Sequence, residues 1–386
     1  MTKFFVSVMA AIVATTALPA RAAAPTRDYL TDKFDVEQIL DWGDRPVFSA
    51  DSKRIAFTVD DEHLGPAYEI DVATRKVHCL TCRWGANGVV SRVYYLSDGS
   101  YLLTGPASLD TAETTIGAKP QPTRGTYLYW MPADASTPPQ ALGAAAVGEI
   151  ALDYDHSAPG EMRIAWGEML LWGDAQPKYR MLMGSVVNDG KRAWLINRTV
   201  LHSDPPSDPN SLVTYTETYD FIDDGKSILF FTGEKGQLYN GMYKLDIATG
   251  KTTSMRTDAQ HNETHSFPDV RYGLEESNRA SDPSSPYRGV SGHRGPFLAT
   301  LLKVAGVQNA EAMADQYGGK PFDLYLLDWQ TGKVRRLTTT NELGGESHQS
   351  IPARDGKHIA YAIRPAVNGK YAGKTGLFLG TFTNGK

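Results

Sequence analysis

Short stretches of alternating apolar and polar residues, separated by turns rich in Asp, Gly and Asn, run along most of this chain and predict paired β-strands. One phrase returns: a tight Asp/Gly turn, a basic residue, then apolar positions. It reads Asp51-Ser52-Lys53-Arg54-Ile55-Ala56-Phe57, Asp224-Gly225-Lys226-Ser227-Ile228-Leu229-Phe230 and Asp355-Gly356-Lys357-His358-Ile359-Ala360-Tyr361. Asp98-Gly99-Ser100-Tyr101-Leu102-Leu103 is a weaker copy, and Pro268-Asp269-Val270-Arg271-Tyr272 a degraded one. Such self-similarity predicts a repeat architecture in which each unit buries its apolar face against its neighbours.

Each phrase reads as the first hairpin of a four-stranded unit, and a second hairpin closes the unit. Residues 68–80 turn near Ala73 to Arg75, 242–255 at Thr249-Gly250, and 324–337 at Thr331-Gly332. Residues 127–142 give a proline-rich version, and 179–201 turn at Asn188-Asp189-Gly190. A further first hairpin lies within 148–166, where an inserted stretch replaces the tight turn. The units run over about 43–82, 86–143, 148–201, 212–257, 260–338 and 345–386. The last lacks its outermost strand, and residues 28–41 are the obvious donor. The expectation is an all-β propeller of six blades, with seven as the alternative, closed by an N-terminal strand that completes the last blade and removes two exposed edges.

Composition narrows the setting. Residues 1–24 have the form of a cleaved secretory signal: Lys3 is the only charge before the apolar run 4–18, and Ala20-Arg21-Ala22 and Ala22-Ala23-Ala24 are small-x-small cleavage sites. The run is too short to span a bilayer comfortably, and no second one follows. The remainder, 25–386, reads as a single propeller domain, exported to the periplasm or secreted, with no membrane span after cleavage. Loss of Lys3 and Arg21 takes the formal charge from −5 to −7, with no basic run, which argues against a nucleic-acid partner.

The repeats resemble the TolB-like class of propeller repeat. The residues that carry the likeness are Phe48-Ser49-Ala50-Asp51 with Lys53 to Phe57, and Leu327-Asp328 with Thr331-Gly332-Lys333 and Leu337-Thr338. Cys79-Leu80-Thr81-Cys82 is similar to a blade-ending segment of exported members, and His261-Asn262-Glu263 to an Asn-Glu-His segment that opens a later blade in them. The resemblance implies fold strongly and function weakly. TolB proteins scaffold protein contacts in the periplasm but carry an additional N-terminal α/β domain that this chain is too short to contain.

Candidate chemistry is sparse. Cys79 and Cys82 stand at CxxC spacing, but only His78 lies beside them, so zinc is disfavoured, and they end a strand rather than open a helix. A local disulfide in an oxidising compartment is the better reading. Residues just before each innermost strand should converge at one channel mouth. Those positions hold Asn87, Glu149, Glu217, the cluster His261-Asn262-Glu263-Thr264-His265, and Glu346-Ser347-His348-Gln349. Glu149, Glu217, Glu263, Glu346 and Gln349 are the candidate ligand-binding residues. His261, His265 and His348 are candidate ligands for a divalent metal such as Mn, Zn or Ca. Polar groups at a wet channel mouth also serve simply to satisfy strand ends.

Insertions at 277–321, between the second and third strands of the fifth blade, and 105–124, in the second blade, should lie over the same mouth. The first carries a helical pattern over 297–316, with Leu298, Leu301, Leu302 and Ala305 on one face, and the charges Arg279, Arg288, His293 and Arg294. No G-x-S-x-G occurs; Gly289-Val290-Ser291-Gly292-His293 breaks the pattern at its last position. The chain lacks the α/β-hydrolase domain that propeller peptidases of the prolyl oligopeptidase type require, and no phosphate-cradling or dinucleotide glycine loop is present.

The first functional reading is a non-catalytic, monomeric propeller that binds a periplasmic protein or a polysaccharide or oligosaccharide at its channel mouth. The second follows a partial resemblance to oligogalacturonate lyase, which implies metal-assisted β-elimination beside a uronate carboxyl. Thr264-His265-Ser266-Phe267-Pro268-Asp269 is similar to that family's Thr-His-Glu-Phe stretch, but Ser266 replaces the glutamate. The family's His-x-His pair is reduced to His348 followed by Gln349. A third reading, a hydrolase with a carboxylate pair such as Glu217 and Glu263, has no motif behind it.

Overall fold

A computed structural model describes residues 27–59, 64–106, 126–158, 160–169, 179–203, 216–232, 241–256, 262–277, 322–365, 371 and 373–383. The signal segment, His261 and nearly all of both insertions lie outside the described residues.

Strand β1 (Lys33–Leu40) precedes an antiparallel sheet of β2 (Asp44–Phe48), β3 (Arg54–Thr58), β4 (Tyr68–Asp71) and β5 (Val77–Cys79). A seven-stranded sheet follows: β6 (Arg92–Tyr95), β7 (Tyr101–Gly105), β8 (Thr126–Met131), β9 (Gln140–Asp153), β10 (Glu161–Met169), β11 (Tyr179–Asn188) and β12 (Ala193–Ser203). The next sheet holds β13 (Glu217–Ile222), β14 (Ser227–Thr232), β15 (Gly241–Asp246) and β16 (Thr252–Arg256). After it come β17 (Asn262–Ser266), β18 (Tyr272–Ser277), β19 (Asp323–Asp328) and β20 (Val334–Arg336). The last sheet is β21 (Gly345–Pro352), β22 (His358–Pro365) and β23 (Gly376–Thr383), with β1 paired antiparallel to β23 as its outermost strand. Strand β2 packs on β6, β9 on β13, β13 on β17, β17 on β21, and β21 on β2, so the inner strands close around an axis in a β-propeller arrangement.

The expectation of separate four-stranded blades is met in part. Four sheets stand apart, whereas the units expected over 86–143 and 148–201 are one sheet joined through the 14-residue β9. No turn-forming residue separates its halves: Ala146 pairs with Thr126 of β8 and the adjacent Val147 with Gly167 of β10. Gly143 and Gly148, at φ of 69° and 68°, bend the strand without ending it.

The repeated turns share one chemistry. Asp71 Oδ1 accepts from the Thr74 N–H and Oγ1 at 2.7 Å each, Asp246 does the same with Thr249, and Asp328 accepts from the Thr331 N–H at 3.2 Å. The residue after each threonine is left-handed: Arg75 at 59°, Gly250 at 68°, Gly332 at 70°. In the first hairpins Ser52, Gly99, Gly225, Val270 and Gly356 are left-handed, Gly225 together with Asp223 and Asp224 before it.

Closure by the N-terminal segment is built from side chains as well as strand pairing. Tyr29 is buried among Phe267, Tyr272 and Phe382, and its hydroxyl donates to the Gly356 carbonyl at 2.7 Å. Arg335 donates to the carbonyls of Tyr29 and Asp32 at 2.7 and 2.6 Å. The last two sheets are thereby tied to one segment. At the end of β5, Cys79 and Cys82 form a disulfide with their Cα atoms 5.8 Å apart, which fits an oxidising compartment. Among the described residues no helix is long and apolar enough to cross a membrane.

Candidate site at the channel mouth

Inner strands run alongside one another where β2, β6, β9, β13, β17 and β21 approach the axis. Their side chains, with one from β18, line a small cup: Arg45, Pro46, Val47, Arg92, Tyr94, Glu149, Tyr219, Glu263, His265, Glu276, Gln349, Ser350 and Ile351. Of the sequence candidates, Glu149, Glu263, His265 and Gln349 line it.

Arg92 is the organising cation. It forms an ion pair with Glu149 Oε1, each side chain being 12% exposed, and donates to Gln349 Oε1 at 3.2 Å. Tyr94 donates its hydroxyl to Glu149 Oε2 at 2.7 Å, so Glu149 is held from two directions. Arg45 donates to the Ser91 carbonyl at 2.7 Å. Across the cup, Glu276 Oε1 accepts the Ser350 N–H at 2.6 Å, and Glu263 and Glu276 occupy directly opposed positions on β17 and β18. His265 Nδ1 lies 3.2 Å from Asp220 Oδ2, and its ring meets Tyr219 edge-on at 4.9 Å between centroids.

Burial raises the Tyr94 hydroxyl above the ordinary tyrosine value, against the lowering effect of Arg92 and Arg45. Tyr219 is pushed up further, first by burial and then by the negative charges of Glu217 and Glu263. Both phenols therefore remain proton donors at neutral pH.

The other candidates go elsewhere. Glu217 is buried behind the wall, accepting the Tyr219 hydroxyl at 2.9 Å, and packs so closely on Gly148 that a Cβ there would strike its Cγ. Glu346 is buried and paired with Arg364 on the neighbouring strand. His348 is fully buried, with Nε2 3.3 Å from Asp44 Oδ2. Asn87 sits in a short 3-10 turn, Cys82–Gly88, that occupies the approach to the second inner strand. That strand starts five residues later, at Arg92.

Two of the proposed metal ligands have separate carboxylate neighbours. His265 is engaged by Asp220, His348 lies against Asp44, and His261 lies outside the described residues. Among the described residues no three His, Cys, Asp or Glu side chains come together to hold a metal.

Arg45, Arg92, Tyr94, Tyr219, Glu276 and Ser350 escaped the sequence reading. Arg45 and Arg92 obey the same strand-start rule as the carboxylates and were within its reach. Glu276 comes from the far end of a second strand, which the rule does not cover.

No known family profile matches this chain, and no curated protein matches it. Among solved structures it is similar to oligogalacturonate lyase from Vibrio parahaemolyticus, at 11% identity over 91% of this chain and 97% of that one, with a TM-score of 0.46. It is similar also to an oligogalacturonate lyase in complex with manganese, at 12% identity over 91% and 96% with a TM-score of 0.44. TolB from Acinetobacter baumannii matches at 12% identity over 88% of this chain and 66% of that one, with a TM-score of 0.41. Likenesses at this level assign no activity to the chain.

Proposed function

We propose that this chain is an exported propeller that binds a protein or glycan ligand at its channel mouth and performs no chemistry there. Its residues 1–24 are a signal peptide and 25–386 one domain that acts as a monomer in the periplasm or outside the cell. The seven-stranded sheet counts as two blades sharing β9, giving six in all.

The observation that carries this reading is the way the acidic groups at the mouth are already held. Glu149 is fixed by Arg92 and Tyr94, and Glu276 by the Ser350 amide. A general base must be poised to take a proton from a bound substrate, and an acceptor tied down by a guanidinium is poorly placed to do so. Such a lining instead presents a rigid pattern of donors and acceptors, which suits recognition.

The test has two arms. Purified protein incubated with oligogalacturonate, with and without Mn²⁺, should give no ultraviolet absorbance from a conjugated unsaturated product. Immobilised protein should retain a protein or glycan that an Arg92→Glu variant of equal stability does not retain. Product formation that is lost in His265→Ala would replace this reading with the lyase, and equal retention by the variant would remove the mouth as the binding site.

A further inference from the structure

The rim of the ring is where a strand edge can be left open. Each sheet ends there in an outermost strand: β5, β12, β16, β20 or β1. Such a strand presents backbone amides and carbonyls with no neighbour, and folded proteins blunt these edges by making them short or by placing charges on them. Most edges here are blunted. Strands β5 and β20 have three residues each and β16 has five. On β1, Lys33 pairs with Asp35 at 2.6 Å and Glu37 with Arg75 at 2.7 Å, on either side of the exposed Val36.

Strand β12 lacks this protection. It runs for 11 residues, and among the described residues nothing pairs with its outer edge between Trp194 and Val200. Trp194, Ile196 and Val200 are 48%, 38% and 48% exposed, and Trp194 and Ile196 share one face of the strand. The charge on this edge has one sign. No acidic residue occurs from Gly190 to Ser203, and Arg192 and Arg198 are both exposed. Lys191 is offset by Asp189 in the turn, whereas Arg198 donates only to the Gly143 carbonyl at 3.3 Å, and neither arginine is ion-paired among the described residues.

We infer that β12 is a docking edge for an extended segment of a partner protein, one that alternates apolar with acidic side chains and adds to the sheet as a further strand. Backbone hydrogen bonds along the open edge supply the affinity, and side chains supply the selectivity. Apolar residues of the segment cover Trp194 and Ile196, while its carboxylates meet Arg192 and Arg198. A second copy pairing through the same edge would bring cations against cations. The bulge at Asn197, with its φ of 54°, also twists the strand and shortens its straight run, which works against stacking of copies. This edge is separate from the channel mouth, and neither site depends on the other.

The experiment is a fluorescence-anisotropy titration of the full mature chain against a short labelled peptide that alternates Glu with Val. Two control peptides carry Lys in place of Glu, or N-methyl groups on alternate backbone nitrogens. Expected is saturable binding of the Glu peptide, with slowed hydrogen exchange of backbone amides within 194–200, and none of the N-methylated one. Trp194→Ser should weaken binding about tenfold or more, and Arg198→Glu about fivefold or more. Both side chains are exposed, so neither change removes a core contact. No binding of the Glu peptide, equal binding of the N-methylated peptide, unchanged affinity in both variants, or protection confined to other strands overturns the inference. Equal binding of the Lys peptide overturns the acidic partner. Self-association of the wild type that Trp194→Ser abolishes would replace the partner with a second copy, and binding to phosphatidylglycerol vesicles lost in the same variant, without peptide binding, would replace it with a lipid surface.

Discussion

Val270 stands where the other copies of the first hairpin carry Gly or Ser. It holds a φ of 50° with 44% of its surface exposed, so its β-branched side chain bears left-handed strain with little burial in return. Val270→Gly should stabilise the protein by roughly 0.5–1 kcal/mol, the relief of strain less the added entropy of the unfolded chain, as read from urea unfolding. Gly148 is the opposite case: its φ of 68° and its contact with Glu217 both forbid a Cβ. Gly148→Ala should cost at least about 2 kcal/mol and displace Glu217; an unchanged urea midpoint would show that β9 relaxes freely there. The turn aspartates and glycines were legible in the sequence because their roles are local. That Glu217 turns behind Tyr219 while Glu149 faces the cup was not legible, since the choice depends on the bend at Gly148 and on which neighbour each side chain meets.

Tethers between turns decide how firmly neighbouring elements hold. Burial lowers the His156 pKa, but hydrogen bonds to Asp153 and Asp224 outweigh it and leave the net shift upward. The imidazole thus ties the β9–β10 turn to the β13–β14 turn, with Arg163 reaching from Asp153 to the Gly225 carbonyl at 2.7 Å. A folded pKa above the unfolded one means that the stabilisation is fully present below the unfolded value and is lost as pH rises through the folded one. The Tm difference between wild type and His156→Gln should therefore be largest near about pH 6 and shrink as pH rises and the folded imidazole loses its proton. A difference that grows with pH would contradict the tether. The disulfide at the end of β5 closes a loop of only four residues. Cys79→Ala with Cys82→Ala should cost about 2 kcal/mol, a modest loss that denaturant unfolding would register. Strand order within each unit was readable from alternation and turns, as was the cysteine pairing. The fusion of two units through β9 was not, because nothing in Ala144-Ala145-Ala146-Val147 says whether a run of small β-compatible residues ends one strand or continues into the next.

At the scale of the whole molecule, closure rests on a segment distant in sequence from what it closes. Tyr29 reaches across to Gly356 and sits among rings from β18, β23 and the β17–β18 turn, so Tyr29→Ala should remove about 3–4 kcal/mol and expose residues 27–40 to protease before global unfolding. Unaltered protease resistance would mean that β1 pairing alone closes the ring. That the last unit lacks a strand and that the N-terminal segment supplies it followed from counting hairpins, which are local objects with a fixed order. By itself the amino-acid sequence determined the all-β class, the repeat, the donor strand and the neighbourhood of the mouth, because alternation, turn chemistry and unit length are properties of short stretches. Only the tertiary structure decided that Arg92 spans Glu149 and Gln349, that His265 and His348 answer to different aspartates, and that Arg354 pairs with Asp155. Each of those contacts joins residues from strands or turns that are not paired with one another, where the partner is chosen by the curvature of the closed ring and the depth of burial rather than by spacing along the chain.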